Sequence, residues 1–330
     1  MNKNLLIVMI VIAALLLEAI VWIFVLSKKK KKFMSDLLKS RQEEEAAVHW
    51  KEICYAMLPV QILKLFRKDE SEDYRLGEEK NIQAAVLSFN IPCFSEMIRS
   101  ETSGDIFGFV NNVLSNVVPS VLLQGGEIDK FVNAGLSAFY LEAPERALRT
   151  AVSLCEAMNQ STYEGLKFSI GLAYGNVMVG MVGHERRFGV LTISETTGLA
   201  EFLQEMAGRY GIRILISGSM KKQIHDFEKH YNSRYLGCIF LKAADTTEDL
   251  YEIYDGDDTV DKNCKRRTRL VFENGVELFK EHRFYDARLH FIEVLKANRM
   301  DGAAKRYLHL CNQYCEKENI SDVSVYLDVY

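Results

Sequence analysis

Side chains that could ligate metals or attack substrates are present in this sequence, but they are scattered. Seven histidines occur in 330 residues, and none joins a Ser/His/Asp, Cys/His or phosphate-loop pattern in a fitting context. His184, in Gly183-His184-Glu185, reads as part of a tight turn, and His225 and His230 are five apart with no third ligand. Cysteines 54, 93, 155, 238, 264, 311 and 315 are an odd set without paired spacing. Cys311 and Cys315 fall four apart on an expected helix, with no partners to complete a zinc set. Thiols scattered in this way fit a reducing cytoplasmic body. The cluster Lys265-Arg266-Arg267-Thr268-Arg269 is expected to be a solvated face rather than a nucleic-acid site. The net charge of −4 is not that of a polyanion-binding chain.

One charged group stands inside an apolar run. Leu5 to Leu26 is broken only by Glu18. As a helix it spans roughly 33 Å, enough to cross a hydrocarbon core of about 30 Å. Lys28 to Lys32 follow it, against a single Lys3 before it. That bias places the N-terminus outside and the body in the cytoplasm, with the lysines able to rest on anionic membrane lipid. The run is too long for the apolar region of a signal peptide, and no small-residue cleavage site follows. Glu18 is either a helix–helix contact within the membrane or a protonated residue near one interface.

The remainder has ordinary globular composition, 48% apolar and 26% charged, and 4 Pro with 20 Gly argue against long disordered linkers. Phe33 to about Phe66 reads as a stalk helix able to pair with its copy. Residues 67–80 form a charged loop. Strands are expected at Ala84–Phe89, at Glu127–Tyr140 around a turn at Asn133-Ala134-Gly135, at Lys167–Tyr174, Asn176–Val182, Phe188–Ile193 and Arg213–Ser217, with a hairpin over Tyr235–Ile253. Helices are expected at Ile106–Leu123, Glu145–Asn159 and Thr196–Tyr210. The order predicts an α+β sheet with helices on one face, beginning with a ferredoxin-like βαββαβ core. Residues 255–269 read as a linker. Residues 270–318 read as a tetratricopeptide-like helical hairpin, with Gly275, Leu278, Ala287 and Phe291 in the small, large, small and aromatic positions. A single such unit must pack on the preceding domain or on a partner. The expected domains are therefore an anchor (1–32), stalk and loop (33–80), main domain (81–254), linker (255–269), helical hairpin (270–318) and tail (319–330).

Several ordered motifs now converge. Leu58-Pro59 precedes the domain, and Val86-Leu87-Ser88-Phe89-Asn90-Ile91-Pro92-Cys93-Phe94 forms its first strand and turn. Gly126 to Phe139, containing Lys130, Ala134 and Gly135, forms a hairpin. Ser169 to Gly183 is punctuated by Gly171, Gly175 and Gly180, and Arg187-Phe188 leads on to Leu203. Over residues 55–254 this resembles the catalytic domain of class III nucleotidyl cyclases. The resemblance implies that fold, a dimer with its active site at the interface, and two Mg²⁺ or Mn²⁺ ions held by two aspartates. Those ions would activate the ribose 3′-hydroxyl against the α-phosphate.

The reactive positions depart from the family pattern. On alignment the two aspartates fall on Asn90 and Ala134. The asparagine and arginine contributed by the opposite subunit fall on Gly198 and Phe202. A homodimer would lack both halves of the site, and a heterodimer could use this chain as neither half. Lys130 aligns with a purine contact and Lys242 with a contact to the terminal phosphates; both also read as exposed hairpin lysines. Leu191 replaces the usual base-recognition partner. The resemblance thus implies a catalytically silent, membrane-anchored signalling protein, with no cofactor expected and Mg or Mn only if nucleotide binding is retained. Its expected partners are a second cyclase-like chain and a protein at the helical tail, and no nucleic acid. The alternatives are an active divergent cyclase using Glu195, Glu127 or Asp129 as replacement ligands, and a scaffold working through the tail.

Overall fold

A computed structural model of the chain describes residues 3–57, 60–66, 75–92, 94, 99, 103–160, 166–184, 187–242, 244–315 and 328–329. Leu58-Pro59, Cys93 and the Glu18 side chain lie outside the described residues. The chain divides into two compact units, Met1–Val60 and Gln61–Tyr330.

The first unit is built on one 55-residue helix, α1 (Lys3–Met57), about 80 Å long at helical rise. It contains neither Pro nor Gly, so nothing interrupts its backbone ladder between the apolar run, the lysines and the stalk. Trp22, Phe24, Phe33, Leu38 and Trp50 are exposed along it. The stalk ends at Met57 rather than near Phe66, and a separate short helix, α2 (Val60–Lys64), follows.

The second unit runs β1 (Glu79–Asn90), α3 (Ser103–Leu123), β2 (Glu127–Val132), β3 (Gly135–Leu141), α4 (Pro144–Gln160), β4 (Ser169–His184), β5 (Arg187–Ile193) and α5 (Glu195–Tyr210). It continues with β6 (Ile214–Ser217), α6 (Gly218–Lys222), α7 (Phe227–His230), β7 (Ser233–Leu241) and β8 (Thr246–Ile253). Last come α8 (Thr259–Lys280), α9 (Phe284–Ala297), α10 (Gly302–Cys315) and β9 (Asp328–Val329). The sheet order is β2-β3-β1-β4-β6-β8-β7-β9, with β5 paired to β4 off that path. β1 is antiparallel to both β3 and β4, and β4 is parallel to β6.

Three expectations are corrected. Helices cover both faces of the sheet, not one. Alternate β1 residues serve two separate cores, Ala84 and Val86 in one and Ala85, Leu87 and Phe89 in the other. The second core is closed by α3 through Val113, Val117 and Val121 and by α4 through Ala147, Leu148, Ala151 and Leu154; the first is closed by α5 and the C-terminal helices. Next, the two strands expected around Gly175 are one 16-residue strand. Gly175 pairs with Ala84 in β1, and a Cβ there would meet Thr196 Oγ1 at 2.6 Å, so this glycine admits α5 and does not break the strand.

The third correction concerns the tail. Residues 255–269, expected as a linker with a solvated basic face, are helical from Thr259, where the Asp258 side chain caps the Val260 and Asp261 amides. Lys265 is buried between Glu252 at 2.6 Å and Asp257 at 2.5 Å. Glu252 also receives Arg234 Nε at 2.6 Å, and Arg234 reaches Asp301 at 2.7 and 3.0 Å. Around this network Phe272, Val276, Phe279, Phe291 and Tyr307 share one core with Leu236, Ile239 and Leu250 of the sheet. Phe291 stacks on Tyr307, whose hydroxyl donates to the Leu236 carbonyl. At Gly275 a Cβ would lie 3.0 Å from Phe291, so the small residue sets the spacing of α8 and α9.

Candidate functional site

The site implied by the resemblance is assembled as backbone. Gly135, after the β2–β3 turn, stands so close to the end of β1 that a Cβ would meet the Phe89 carbonyl at 2.0 Å and Asn90 Cα at 2.8 Å. The turn takes its shape from Asn133, which has φ 55°, a left-handed conformation that asparagine tolerates. Asn90 and the Ala134–Gly135 peptide therefore lie side by side, as the first-strand and hairpin motifs suggested.

The side chains do not match a metal pair. The Asn90 amide oxygen accepts the Ile91 N–H at 2.8 Å, and Ala134 is buried and offers no donor. Mg²⁺ and Mn²⁺ require oxygen ligands, with carboxylates supplying the charge, so a two-metal site does not fit the residues here. Among the described residues no three His, Cys, Asp or Glu side chains lie close enough to hold an ion. His225 approaches Asp226 at 3.6 Å on the surface, and His230 is the last residue of α7.

Gly198 and Phe202 stand one turn apart on α5. Ser194 caps the start of that helix and Gly211, with φ 66°, closes its end. Phe202 packs against the core shared by α5 and the sheet. A phenyl ring there carries no positive charge toward a developing phosphate charge. Leu191 is exposed on β5 opposite Gly180. Lys242 is exposed in the turn that follows β7.

Lys130 is exposed on the hairpin, as one of its two readings had it. Its ammonium on β2 pairs with Glu201 of α5 at 2.8 Å. Beside it, Thr192 Oγ1 of β5 donates to Asp129 Oδ1 at 2.9 Å. Burial raises the Asp129 carboxyl above the ordinary aspartate value, and the Thr192 hydroxyl and Lys130 offset part of that rise. Asp129 is thus occupied within a polar cluster, while Glu127 opens β2 and Glu195 opens α5. Glu201 and Thr192 are the residues that sequence reasoning missed. Their only signal was polarity on elements known to face the hairpin.

This geometry can be set beside known proteins. No family model matches the chain. A terminal-differentiation specific adenylate cyclase of Dictyostelium discoideum is 22% identical over 266 residues, covering 78% of this chain and 12% of that protein. An adenylate cyclase of Anabaena cylindrica is 21% identical over 208 residues, covering 59% of this chain and 41% of that one. The structure of a bacterial light-regulated adenylyl cyclase superposes with a TM-score of 0.58 at 16% identity, covering 66% of this chain and 65% of that one. The chain has the class III cyclase fold.

Within the class III cyclase fold, the chain spans 12% and 41% of the two curated relatives, so the relatives' activity does not transfer with the fold. The cyclase-type hairpin, long strand β4 and helix α5 are all present. The four positions that would carry the chemistry hold Asn90, Ala134, Gly198 and Phe202. Among the described residues, the arrangement joins the hairpin to α5 through Lys130 and Glu201 and to β5 through Asp129 and Thr192, and leaves Lys242 exposed.

Proposed function

We propose that this chain is a membrane-anchored cyclase-homology signalling protein that does not turn over nucleotide and works as a dimerising, regulatory or nucleotide-sensing module. One observation carries the reading: the β1 end and the hairpin turn are packed against each other without either carboxylate. The order β2-β3-β1-β4 with α3 and α4 on one face supports a ferredoxin-like βαββαβ reading and, with it, retention of a dimer-forming fold. The apolar run in α1 followed by Lys28–Lys32 supports a single-pass anchor with the body in the cytoplasm. Gly104–Leu123 is also long and apolar enough to cross a membrane by length and composition. Its Val113, Val117 and Val121 face is spent on the sheet, which favours a core helix. A tetratricopeptide-like tail would serve as a docking module.

The test is nucleotide titration of the full chain in lipid nanodiscs, with turnover followed in the same tube. ATP and GTP are each supplied with Mg²⁺ and with Mn²⁺. The expected result is no cyclic nucleotide under any of the four conditions, with or without saturable binding. Metal-dependent formation of cyclic AMP or cyclic GMP overturns the reading. It would select the competing one, an active divergent cyclase, which the names of the two relatives favour.

A further inference from the structure

A cavity of about 440 Å³ opens where the end of α5, the start of β4 and the first turn of α10 meet. Lys167, Arg209, Arg213 and Lys305 line it, with Asp261 as its one carboxylate and Phe168 as an aromatic wall. The four cations come from four places in the fold: the approach to β4, the last turn of α5, the residue before β6 and the first turn of α10. Such convergence is unlike the regular spacing of lysines on a solvated helix face. Of the ion pairs among the described residues, none involves Lys167, Arg213 or Lys305. Arg213 is directed instead to neutral oxygens, the Asn159 amide and the Gly256 carbonyl, the latter at 3.1 Å. Its guanidinium also lies 5.5 Å from the Phe168 ring centroid, which holds it against the wall. Asp261 is partly engaged elsewhere, accepting from Asn298 at 2.9 Å.

Cations held close together repel one another; Asp261 is the carboxylate in the lining, and Asp257 and Asp258, outside it, act on Arg213. A bound anion removes that repulsion and gains charge-assisted hydrogen bonds. Gly302 in the first turn of α10 lines the cavity and packs so tightly on the Tyr210 carbonyl that a Cβ would fall 1.7 Å from it, while Asp301 caps that turn through the Ala304 amide. The volume lies within the range of small-molecule sites, which favour seams between packed units.

We propose that this cavity binds a small phosphate-bearing anion, which clamps the C-terminal helices to the sheet. Lys305 belongs to the helical tail and Lys167 to the flank of β4, so one ligand reaches both. The site is separate from Lys130 and Lys242 and does not depend on whether the cyclase-type site is silent.

Inorganic pyrophosphate is the probe, titrated calorimetrically into the full chain in nanodiscs of neutral phosphatidylcholine. Saturable binding and a rise in Tm are expected. The Lys167→Gln/Lys305→Gln variant, altered only at exposed side chains, keeps the unliganded Tm and weakens binding by roughly tenfold or more. Lys130→Gln/Lys242→Gln binds as the parent does. Three results overturn the proposal: no saturable binding at millimolar pyrophosphate, unchanged affinity in the first variant, or loss of binding in the second. Citrate binding as tightly as pyrophosphate overturns the assignment to phosphate.

Discussion

At the residue scale, the most deeply buried charges among the described residues belong to none of the four cyclase-type positions. Arg234 is fully buried, paired with Glu252 and Asp301 and laid 4.1 Å from the Phe272 centroid. Removing one member of such a network strands the other charges in a dry interior, so Arg234→Met is expected to cost about 3–5 kcal/mol. A chemical-denaturation midpoint measures it. The pH dependence follows from the carboxyls. Burial pushes Asp301 up, but Arg234, Lys265 and the Ala304 amide outweigh it and hold the carboxyl below the ordinary value. A depressed folded value means stability that is full above the unfolded value, about 3.9, and is lost as pH falls through the folded one. Burial raises Asp257 more than Lys265 lowers it, so Asp257 takes up a proton first and relieves the network's single excess negative charge. Wild type is therefore expected to hold its stability down to about pH 4 and lose it below. Asp301→Asn should flatten that acid limb and lower the plateau. An unchanged limb would show that other carboxyls govern acid unfolding. None of this was legible in the sequence: Arg234 and Asp301 are 67 residues apart, and a lysine within a basic run gives no sign of burial. The places of Asn90, Ala134, Gly198 and Phe202 in the fold could be read from the sequence because glycines and strand motifs fix the register around them.

At the element scale, small residues set how helices meet the sheet. Gly171 in β4 is the tightest of the contacts under α5, where a Cβ would lie 2.2 Å from the Ala200 carbonyl and 2.4 Å from the Gln204 amide nitrogen. Both are backbone atoms, so the contact cannot be relieved by a side-chain rotation. Gly171→Ala must lift the helix or bend the strand, at a cost of about 3 kcal/mol. Gly189→Ala, in β5 where nothing lies within 4 Å of the added carbon, should shift the urea midpoint far less. Equal effects from the two would mean that α5 is not seated on Gly171. These close approaches explain what the glycine pattern could and could not reveal. It located β4 and α5 correctly, but Gly175 looked like a break because a sequence does not distinguish a glycine that turns the chain from one that makes room. Helices on both faces were missed for a related reason. β1 is apolar at both parities from Ala84 to Leu87, which marks a strand buried on two sides.

At the scale of the whole molecule, the C-terminal helices are part of the domain and not an appendage. Phe272, Val276 and Phe279 close the face formed by Leu236, Ile239 and Leu250, and Lys265 and Asp301 complete the charge network of Arg234 and Glu252. Truncation after Asp258 would uncover that face and leave Arg234 and Glu252 with only each other. The truncated chain is expected to lose cooperative unfolding and to aggregate, as read by near-UV circular dichroism and light scattering. A soluble 1–258 product with a sharp melting transition would refute the shared core. The consequence reaches the scaffold reading, because deleting the tail destroys the sheet's packing and cannot isolate tail function. Exposed positions offer the cleaner probe. Leu270, Tyr285 and Leu289 are 71%, 63% and 49% exposed, and their replacement by serine should move Tm by no more than a few degrees, since surface substitutions stay within about 0.5 kcal/mol. If tail surfaces bind a partner, those variants lose the partner while keeping the fold; a matching loss of Tm would place the side chains in the core instead.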